Sequence, residues 1–108
     1  MSYKIKTLPQ FEKALKRLVK KFPSLKAEYI NLLHSLEQNP KLGVDLGKNC
    51  YKVRLAIASK GKGKSGGARV ITNFIIEDGT VYLLSIYDKS DKENITDKEI
   101  EQLLDSIS

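Results

Sequence analysis

The alternation of apolar and polar residues along this chain predicts strands at both ends of a pair of amphipathic helices. Residues 3–7 alternate in the manner of a short first strand. From residue 9 to about 22, and again from about 25 to 39, apolar residues recur at every third or fourth position. Pro9 suits the first turn of the earlier helix. The short connection between the two helices predicts a helical hairpin lying on the sheet.

Three further strands are expected at residues 51–58, 68–77 and 80–87, where β-branched and aromatic residues predominate. Asp78 and Gly79 separate the last two strands, and this dipeptide is typical of an antiparallel hairpin. Thr96 and Glu99 have the spacing of a capping box and predict a closing helix. The order β-α-α-β-β-β-α predicts an α+β fold. In that fold the helices cover one side of an antiparallel sheet, with two N-terminal helices packed on one face and a C-terminal helix.

Length and composition limit the classes of protein to which the chain can belong. Its 108 residues predict a single domain covering residues 1–108. No apolar run approaches the roughly 20 residues that a membrane helix needs. One cysteine, Cys50, and one histidine, His34, offer neither a disulfide nor a set of metal ligands. We therefore expect a cytoplasmic protein with no metal site, no cofactor and no membrane partner.

The charge is unevenly distributed and favours a polyanionic partner. The net charge of +6 combines a basic part, residues 1–70, with an acidic part, residues 71–108. The first holds 16 Lys or Arg and 4 Asp or Glu, and the second holds 3 and 9. A basic excess of this kind favours nucleic acid. A pattern that merely maintains solubility is the alternative.

A loop of alternating glycines and cations lies between the second and third predicted strands. Residues 60–69 contain four glycines and four cations, Lys60, Lys62, Lys64 and Arg69, without any acid. Glycine lets a backbone approach a phosphate closely, so the loop suits a polyanion; a solvated basic turn is the alternative. The glycine spacing also resembles nucleotide-binding loops, but a strand follows where those motifs require a helix. ATP hydrolysis and dinucleotide binding are therefore excluded.

Strand geometry brings scattered cations to one end of the predicted sheet. Lys52 and Arg54 are two residues apart and share a face. A tight turn at residues 78–79 would place Arg69 opposite about Asp88, with Tyr87 and Lys89 as its neighbours. The predicted cluster comprises Arg54, Lys62, Lys64, Arg69, Tyr87 and Lys89. The alternative is a meander whose exposed face happens to be basic.

Three segments of the chain resemble the RelE/HigB family of type II toxin–antitoxin toxins. They are NCYKVRL at 49–55, GKSGGARVI at 63–71 and LLSIYDK at 83–89. The second segment is the most specific and is similar to the HigB-like branch. The resemblance implies a microbial-ribonuclease-like fold and an mRNA endoribonuclease acting in the ribosomal A site, in contact with 16S rRNA. It also implies a cognate antitoxin, a HigA-like helix-turn-helix protein, which neutralises the toxin in a hetero-oligomer.

The resemblance also implies roles for individual residues in a metal-independent attack of a ribose 2′-OH on phosphate. Arg69 matches the phosphate-binding arginine of the family, and Lys89 stands where the RelE branch has a catalytic arginine. Arg54 is expected to assist the phosphate clamp, and either Lys64 or Lys52 to act as the base. Tyr87 is expected to stack on the nucleotide or to move a proton, because Ile95 stands near the place of the family's tyrosine. The residues expected to bind RNA are Lys52, Lys60, Lys62 and Lys92.

Two other functions remain open from the sequence. A ParE-like protein would share the fold but inhibit DNA gyrase, and the basic loop and Arg69 argue against it. A non-catalytic RNA-binding module is the second alternative. The antitoxin is expected to contact either the basic surface or the acidic C-terminal helix.

Overall fold

Five strands and three helices form the part of the chain that the computed structural model describes, residues 3–58, 66–92 and 94–107. The elements, in chain order, are β1 (Lys4–Thr7), α1 (Pro9–Lys21), α2 (Leu25–Gln38), β2 (Val44–Gly47), β3 (Cys50–Leu55), β4 (Ala68–Ile75), β5 (Thr80–Asp88) and α3 (Asp97–Asp105). The α+β class that the sequence predicts is confirmed.

The strands form one sheet in the order β1-β5-β4-β3-β2. The pairs β2–β3, β3–β4 and β4–β5 are antiparallel, so the hairpin predicted at Asp78 and Gly79 is confirmed. The expectation of a wholly antiparallel sheet is wrong at β1, which pairs parallel to β5, Ile5 facing Val81. One edge of β5 is occupied by β4, so β1 takes the other edge. The α1–α2 hairpin then leads the chain back across the sheet.

A short edge strand, β2, lies where the sequence predicts only a turn-rich connection. It pairs with β3 through Val44 and Lys52, and a two-residue turn joins the strands. Both turn residues, Lys48 and Asn49, have positive φ angles, 56° and 61°. Such turns fit the twist of a hairpin. One glycine and one aspartate among its four residues break the alternation of apolar residues that would have predicted this strand.

Helices α1 and α2 cover one face of the sheet. Alternation places Val53 and Leu55 on the same face of β3, and both line a cavity together with Leu32 of α2. Lys52 and Arg54 also line this cavity, but alternation turns their side chains to the opposite face. Phe11, Leu25 and Leu36 of the two helices are fully buried against this layer.

Helix α3 lies on the opposite face, so the expectation that all helices cover one side is wrong. Glu99 and Leu103 of α3 line a small cavity with Ser85. Ser85 pairs with Ile71, whose side chain shares the face of Lys52 and is fully buried. Helix α3 thus packs beside β5 on the face of the sheet from which the buried Ile71 projects.

The capping box predicted for α3 is confirmed. The Glu99 N–H donates to the Thr96 hydroxyl oxygen at 3.2 Å, and the Thr96 N–H donates to Glu99 Oε1 at 3.1 Å. Two ion pairs fasten the helix to the sheet, Lys48 with Glu101 at 2.5 Å and Lys92 with Glu99. The start of α3 is thereby fixed next to the end of β5.

Candidate nucleic-acid interface

Arg54, Arg69 and Tyr87 lie side by side across three neighbouring strands. Arg69 of β4 pairs with Arg54 of β3 on one side and with Tyr87 of β5 on the other. Directly paired residues of antiparallel strands project from the same face. We define the cationic interface as these three residues together with Lys52 and Lys89.

Directly opposed residues of antiparallel strands form either hydrogen-bonded or non-hydrogen-bonded pairs, and the side chains are closer in the second kind. Arg54 and Arg69 form a pair of the second kind. The Phe74 N–H donates to the Asn49 carbonyl at 2.9 Å, which fixes the alternation of the ladder between β3 and β4. Arg54 and Arg69 therefore occupy a non-hydrogen-bonded position, where opposing side chains come nearest. Two guanidinium groups can converge on a single anion from this position.

The register between β4 and β5 differs by one residue from the register that the sequence predicts. Ile75 pairs with Thr80, so four residues rather than two connect the strands. A bulge between Ile71 and Thr72 then shifts the pairing back by one. Arg69 consequently faces Tyr87, and the expectation that it faces Asp88 is wrong.

The cationic interface has a buried floor and an exposed rim. Arg69 is only 2% exposed and Tyr87 only 9%. Arg54 is exposed, whereas Lys52 and Lys89 are half-buried. The sequence predicts that these cations all lie on the surface. Arg69 is buried instead, because it belongs to β4, an interior strand with a neighbouring strand on each side.

Burial and like charge act together on the central arginine. Burial lowers the pKa of Arg69, the charge of Arg54 lowers it further, and Tyr87 acts in the opposite direction. A guanidinium nevertheless stays protonated at physiological pH. A phosphate placed between the two arginines would offset the repulsion between them.

The hydroxyl of Tyr87 is buried and has no hydrogen-bond partner among the residues that the structure describes. Burial raises the pKa of this phenol, and the charge of Arg69 partly offsets the rise. A buried polar group without a partner costs free energy, and such groups often lie at functional sites. This hydroxyl is therefore suited to bonding with a bound ligand.

Gly67 brings the end of β3 close to the start of β4. A Cβ atom at this position would lie 1.9 Å from the carbonyl oxygen of Leu55. The carbonyl of Gly67 also accepts a 3.0 Å hydrogen bond from the Lys89 N–H, which extends the ladder beyond β5. Lys89 is thus held next to the Arg54–Arg69 pair, at the end of the sheet where the predicted residues converge.

The other predicted RNA-binding residues are placed less uniformly. Lys92 lies over the Tyr87 ring, with Nζ 5.6 Å from the ring centroid, but its ammonium group is paired with Glu99. Lys60, Lys62 and Lys64 fall outside the described residues, so their predicted roles remain predictions. Lys52 precedes Arg54 by two residues on β3 and projects from the same face, where it pairs with Ile71 of β4.

Two acidic residues of this region are absent from the predicted set. Asp88 is buried and accepts a 2.9 Å hydrogen bond from the Ser90 N–H through Oδ1, which folds the chain after β5 into a turn. The spacing of Asp88 and Ser90 is a recognisable signal for such a turn. Glu99 is recognisable only as a helix cap, because its contact with Lys92 depends on how α3 packs.

Two negative findings concern metals and membranes. Across residues 3–58, 66–92 and 94–107, no three His, Cys, Asp or Glu side chains are grouped so that they could hold a metal ion. Within the same residues, every helix is too short or too polar to cross a bilayer. Cys50 is buried at the start of β3, and burial raises the pKa of its thiol.

Comparison with known proteins connects this geometry to a family. Residues 10–106 match the family model described as RelE toxin of the RelE/RelB toxin–antitoxin system. A mutant of the E. coli toxin RelE in the free state has a TM-score of 0.64 at 19% identity, with both chains covered completely. The intact E. coli RelBE toxin–antitoxin complex gives a TM-score of 0.62 at 19% identity, covering 81% of this chain and 96% of that chain.

A third structural relative comes from another organism. The toxin–antitoxin complex RelBE2 from Mycobacterium tuberculosis has a TM-score of 0.60 at 16% identity, covering 82% of this chain and 99% of that chain. At such identities the structural likeness establishes the fold. The family match extends over most of the sequence, and on that basis the chain belongs to the RelE toxin family of toxin–antitoxin systems.

Proposed function

We propose that this protein is a ribosome-dependent mRNA endoribonuclease of the HigB-like branch, which inhibits translation in the cytoplasm and is neutralised by an antitoxin. The observation that carries the proposal is the row of Arg54, Arg69 and Tyr87 across three strands, with Lys89 at its end. A member of the RelE toxin family that concentrates cations and a phenol at one place has the groups needed to cleave RNA without a metal.

The scissile phosphate binds between the two arginines. A planar guanidinium can donate two hydrogen bonds to two phosphate oxygens, and Arg69 is fixed in position by its interior strand. Arg54 approaches from the exposed rim. As the attacking oxygen adds to phosphorus, negative charge accumulates on the phosphorane, and both arginines stabilise it more strongly than they stabilise the ground state.

The reaction requires two proton transfers. The base, Lys52 or Lys64, takes the proton of the 2′-OH while the bond between O2′ and phosphorus forms. The bond between phosphorus and O5′ breaks, and Lys89 gives the leaving oxygen a proton. The products are a 2′,3′-cyclic phosphate and a 5′-hydroxyl. Tyr87 donates its hydroxyl hydrogen to the substrate or stacks on a base, and Lys60, Lys62 and Lys92 bind flanking RNA.

An antitoxin partner is part of the proposal. The chains similar in fold include toxins solved in complex with antitoxins from two organisms. We propose that this chain forms a hetero-oligomer with a HigA-like helix-turn-helix protein. mRNA and the 16S rRNA of the A site are its other partners.

Primer extension on mRNA in translating ribosomes tests the activity. The wild-type protein is expected to produce cuts within codons held in the A site, and Arg69→Ala is expected to lower the cleavage rate by roughly 10²-fold or more. The matched control is Arg17→Ala, which removes an exposed arginine from α1. Circular dichroism checks that both variants remain folded.

Three results would contradict the proposal. Full cleavage by Arg69→Ala would remove this residue from the site. Gyrase-dependent DNA breakage without RNA cuts would favour the ParE-like function. RNA binding without cleavage by the wild-type protein would favour a non-catalytic module.

A further inference from the structure

A cavity of about 250 Å³ lies between β5 and α3. It forms where β1 ends: Thr7 pairs with Leu83, and the next residue, Leu8, donates its N–H to the Leu83 carbonyl at 3.3 Å. Helix α1 begins directly afterwards, so its first turn brings Gln10 to the same cavity as Ser85 of β5. We call this feature the α3 cavity.

The charged side chains that line the α3 cavity are bonded to each other. Lys92 and Glu99 form an ion pair. Glu99 Oε1 also accepts hydrogen bonds from the Thr96 N–H and the Thr96 hydroxyl, both at 3.1 Å. A phosphate or a cation would have to compete with these contacts. The cavity therefore suits an uncharged ligand.

Three neutral polar side chains of the same cavity can bond to such a ligand, those of Gln10, Ser85 and Gln102. Across residues 3–58, 66–92 and 94–107, no hydrogen bond is found for these three side chains. Each amide offers both donors and an acceptor, and a hydroxyl offers one donor and two lone pairs. Ile95 and Leu103, which are half-buried, add apolar walls. Apolar walls with a few polar groups are typical of a site for a small planar molecule.

The α3 cavity adjoins the cationic interface on one face of the sheet. Ser85 pairs with Ile71 and Tyr87 pairs with Arg69, two residues further along both strands. Ser85 and Tyr87 therefore project from the same face, about 7 Å apart. Lys92 connects the two places, since it lines the cavity and its Nζ lies 5.6 Å from the centroid of the Tyr87 ring.

We propose that the α3 cavity binds an adenine base of the RNA whose phosphate lies at the arginines; this inference rests on the function proposed above. A glutamine amide bonds to N6 and N7 of adenine as a bidentate pair. Guanine is read best by Arg or Lys, and cytosine by a carboxylate. In this cavity Lys92 and Glu99 are already bonded to each other. The free amides of Gln10 and Gln102 thus determine the specificity.

Fluorescence anisotropy with labelled 2′-O-methyl RNA tests this proposal on the full chain. A methylated 2′ oxygen cannot attack phosphate, so binding is measured without cleavage. The probes are short uridine oligomers that carry adenine, guanine, cytosine or uracil at the central position. The adenine probe is expected to bind about tenfold more tightly than the others. A probe with 7-deazaadenine, which lacks the N7 acceptor, should lose most of this gain.

Variants of the chain locate the base. Gln102→Ala and Gln10→Ala are each expected to lower the preference for adenine severalfold, because each removes an amide from the cavity. Gln38→Ala is the matched control, since Gln38 is an exposed glutamine at the end of α2 and should leave the preference unchanged. Gln102→Glu keeps the size of the side chain but only accepts hydrogen bonds. It should weaken binding of the adenine probe and strengthen binding of the cytosine probe, whose N4 is a donor.

Three outcomes would overturn the proposal. In the first, the wild-type chain binds none of the probes or binds the four bases equally well. In the second, the preference for adenine survives both Gln102→Ala and Gln10→Ala, which would place the base elsewhere. In the third, the 7-deazaadenine probe binds as tightly as the adenine probe, which would replace amide readout with stacking.

RNA cleavage on ribosomes separates failure of this inference from failure of the proposed function. Cuts in A-site codons that are independent of adenine would contradict the role of the α3 cavity alone. Adenine-selective binding of the probes without any cleavage of unmodified mRNA would contradict the proposed function alone.

Discussion

At the scale of single residues, Arg69 shows how the fold brings two like charges together at the proposed phosphate site. Its side chain is 2% exposed and stands directly beside Arg54 on the neighbouring strand. Like charges placed directly opposite in a sheet destabilise the folded state. This arrangement is unfavourable for folding, and under the proposed function it favours binding of phosphate. Stability and activity should therefore respond in opposite directions when one of the two charges is removed.

Replacing the exposed member of the pair tests this opposition. Arg54→Gln is expected to raise the free energy of unfolding by up to about 1 kcal/mol, because it removes a like charge opposite Arg69. The same variant should lower RNA cleavage by roughly 10²-fold. Urea denaturation and the ribosomal cleavage assay measure the two effects. Lys52→Gln is the control for stability, since Lys52 pairs with the apolar Ile71 and should show no gain.

The Tyr87 hydroxyl gives a second test at this scale. Tyr87→Phe removes a buried hydroxyl that has no partner within the described part of the chain. The free energy of unfolding should therefore stay the same or rise by about 1 kcal/mol, while cleavage should fall at least about tenfold. Tyr82→Phe, a half-buried tyrosine on the same strand, is the control for activity. Full activity of Tyr87→Phe would leave only a stacking role for this residue.

At the scale of elements, α3 holds Lys92, one of the predicted RNA-binding cations, in an ion pair. Glu99 is both the partner of the Thr96 cap and the partner of Lys92. Glutamine can replace glutamate in a capping box, but it cannot neutralise an ammonium group. One substitution thus separates the two roles.

Glu99→Gln is expected to leave α3 folded and to free Lys92 for RNA. Binding to single-stranded RNA should tighten, and the slope of log affinity against log salt should steepen by about 0.7, the effect of one additional phosphate contact. Filter binding across a salt series provides the measurement. Glu101→Gln is the matched control, because it frees Lys48 at the β2–β3 turn instead. Equal slopes for the two variants would contradict a specific role for Lys92.

The elements also show which parts of this structure can be predicted from sequence. Both N-terminal helices, the Asp78-Gly79 hairpin and the capping box are encoded by local patterns, and all three predictions are confirmed. The bulge at Ile71 and the position of α3 depend on contacts between distant segments. The sequence therefore predicts that Arg69 and Tyr87 are neighbours, but it does not predict their register or their burial.

At the scale of the whole molecule, three buried or half-buried groups, Tyr29, Tyr87 and Cys50, prefer their neutral form. Burial raises the pKa of Tyr29 and Tyr87 above the ordinary 10.0 and that of Cys50 above 9.0. In the range just above these ordinary values, the unfolded chain has released protons that the folded protein still holds. The free energy of unfolding therefore falls as pH rises through that range.

Alkaline denaturation checks this expectation. Stability should be constant near neutral pH, should begin to fall above pH 9.0 and should fall more steeply above pH 10.0. Lys48, whose pKa is raised by its bond to Glu101, adds a loss of the same sign above 10.5. Urea titrations from about pH 8 to about pH 11 measure the decline. Tyr87→Phe should flatten the part above pH 10.0, and stability that rises across this range would contradict the assignment.

The parallel pairing of β1 with β5 has a consequence for how the protein is made. The first strand to leave a ribosome finds its partner only after β5, residues 80–88, has been synthesised. Tyr87 belongs to β5, so Arg69 can pair with Arg54 on one side but lacks its partner on the other side until β5 has been synthesised. If the protein acts on ribosomes as proposed, the order of its strands delays completion of the candidate site until most of the chain has been synthesised.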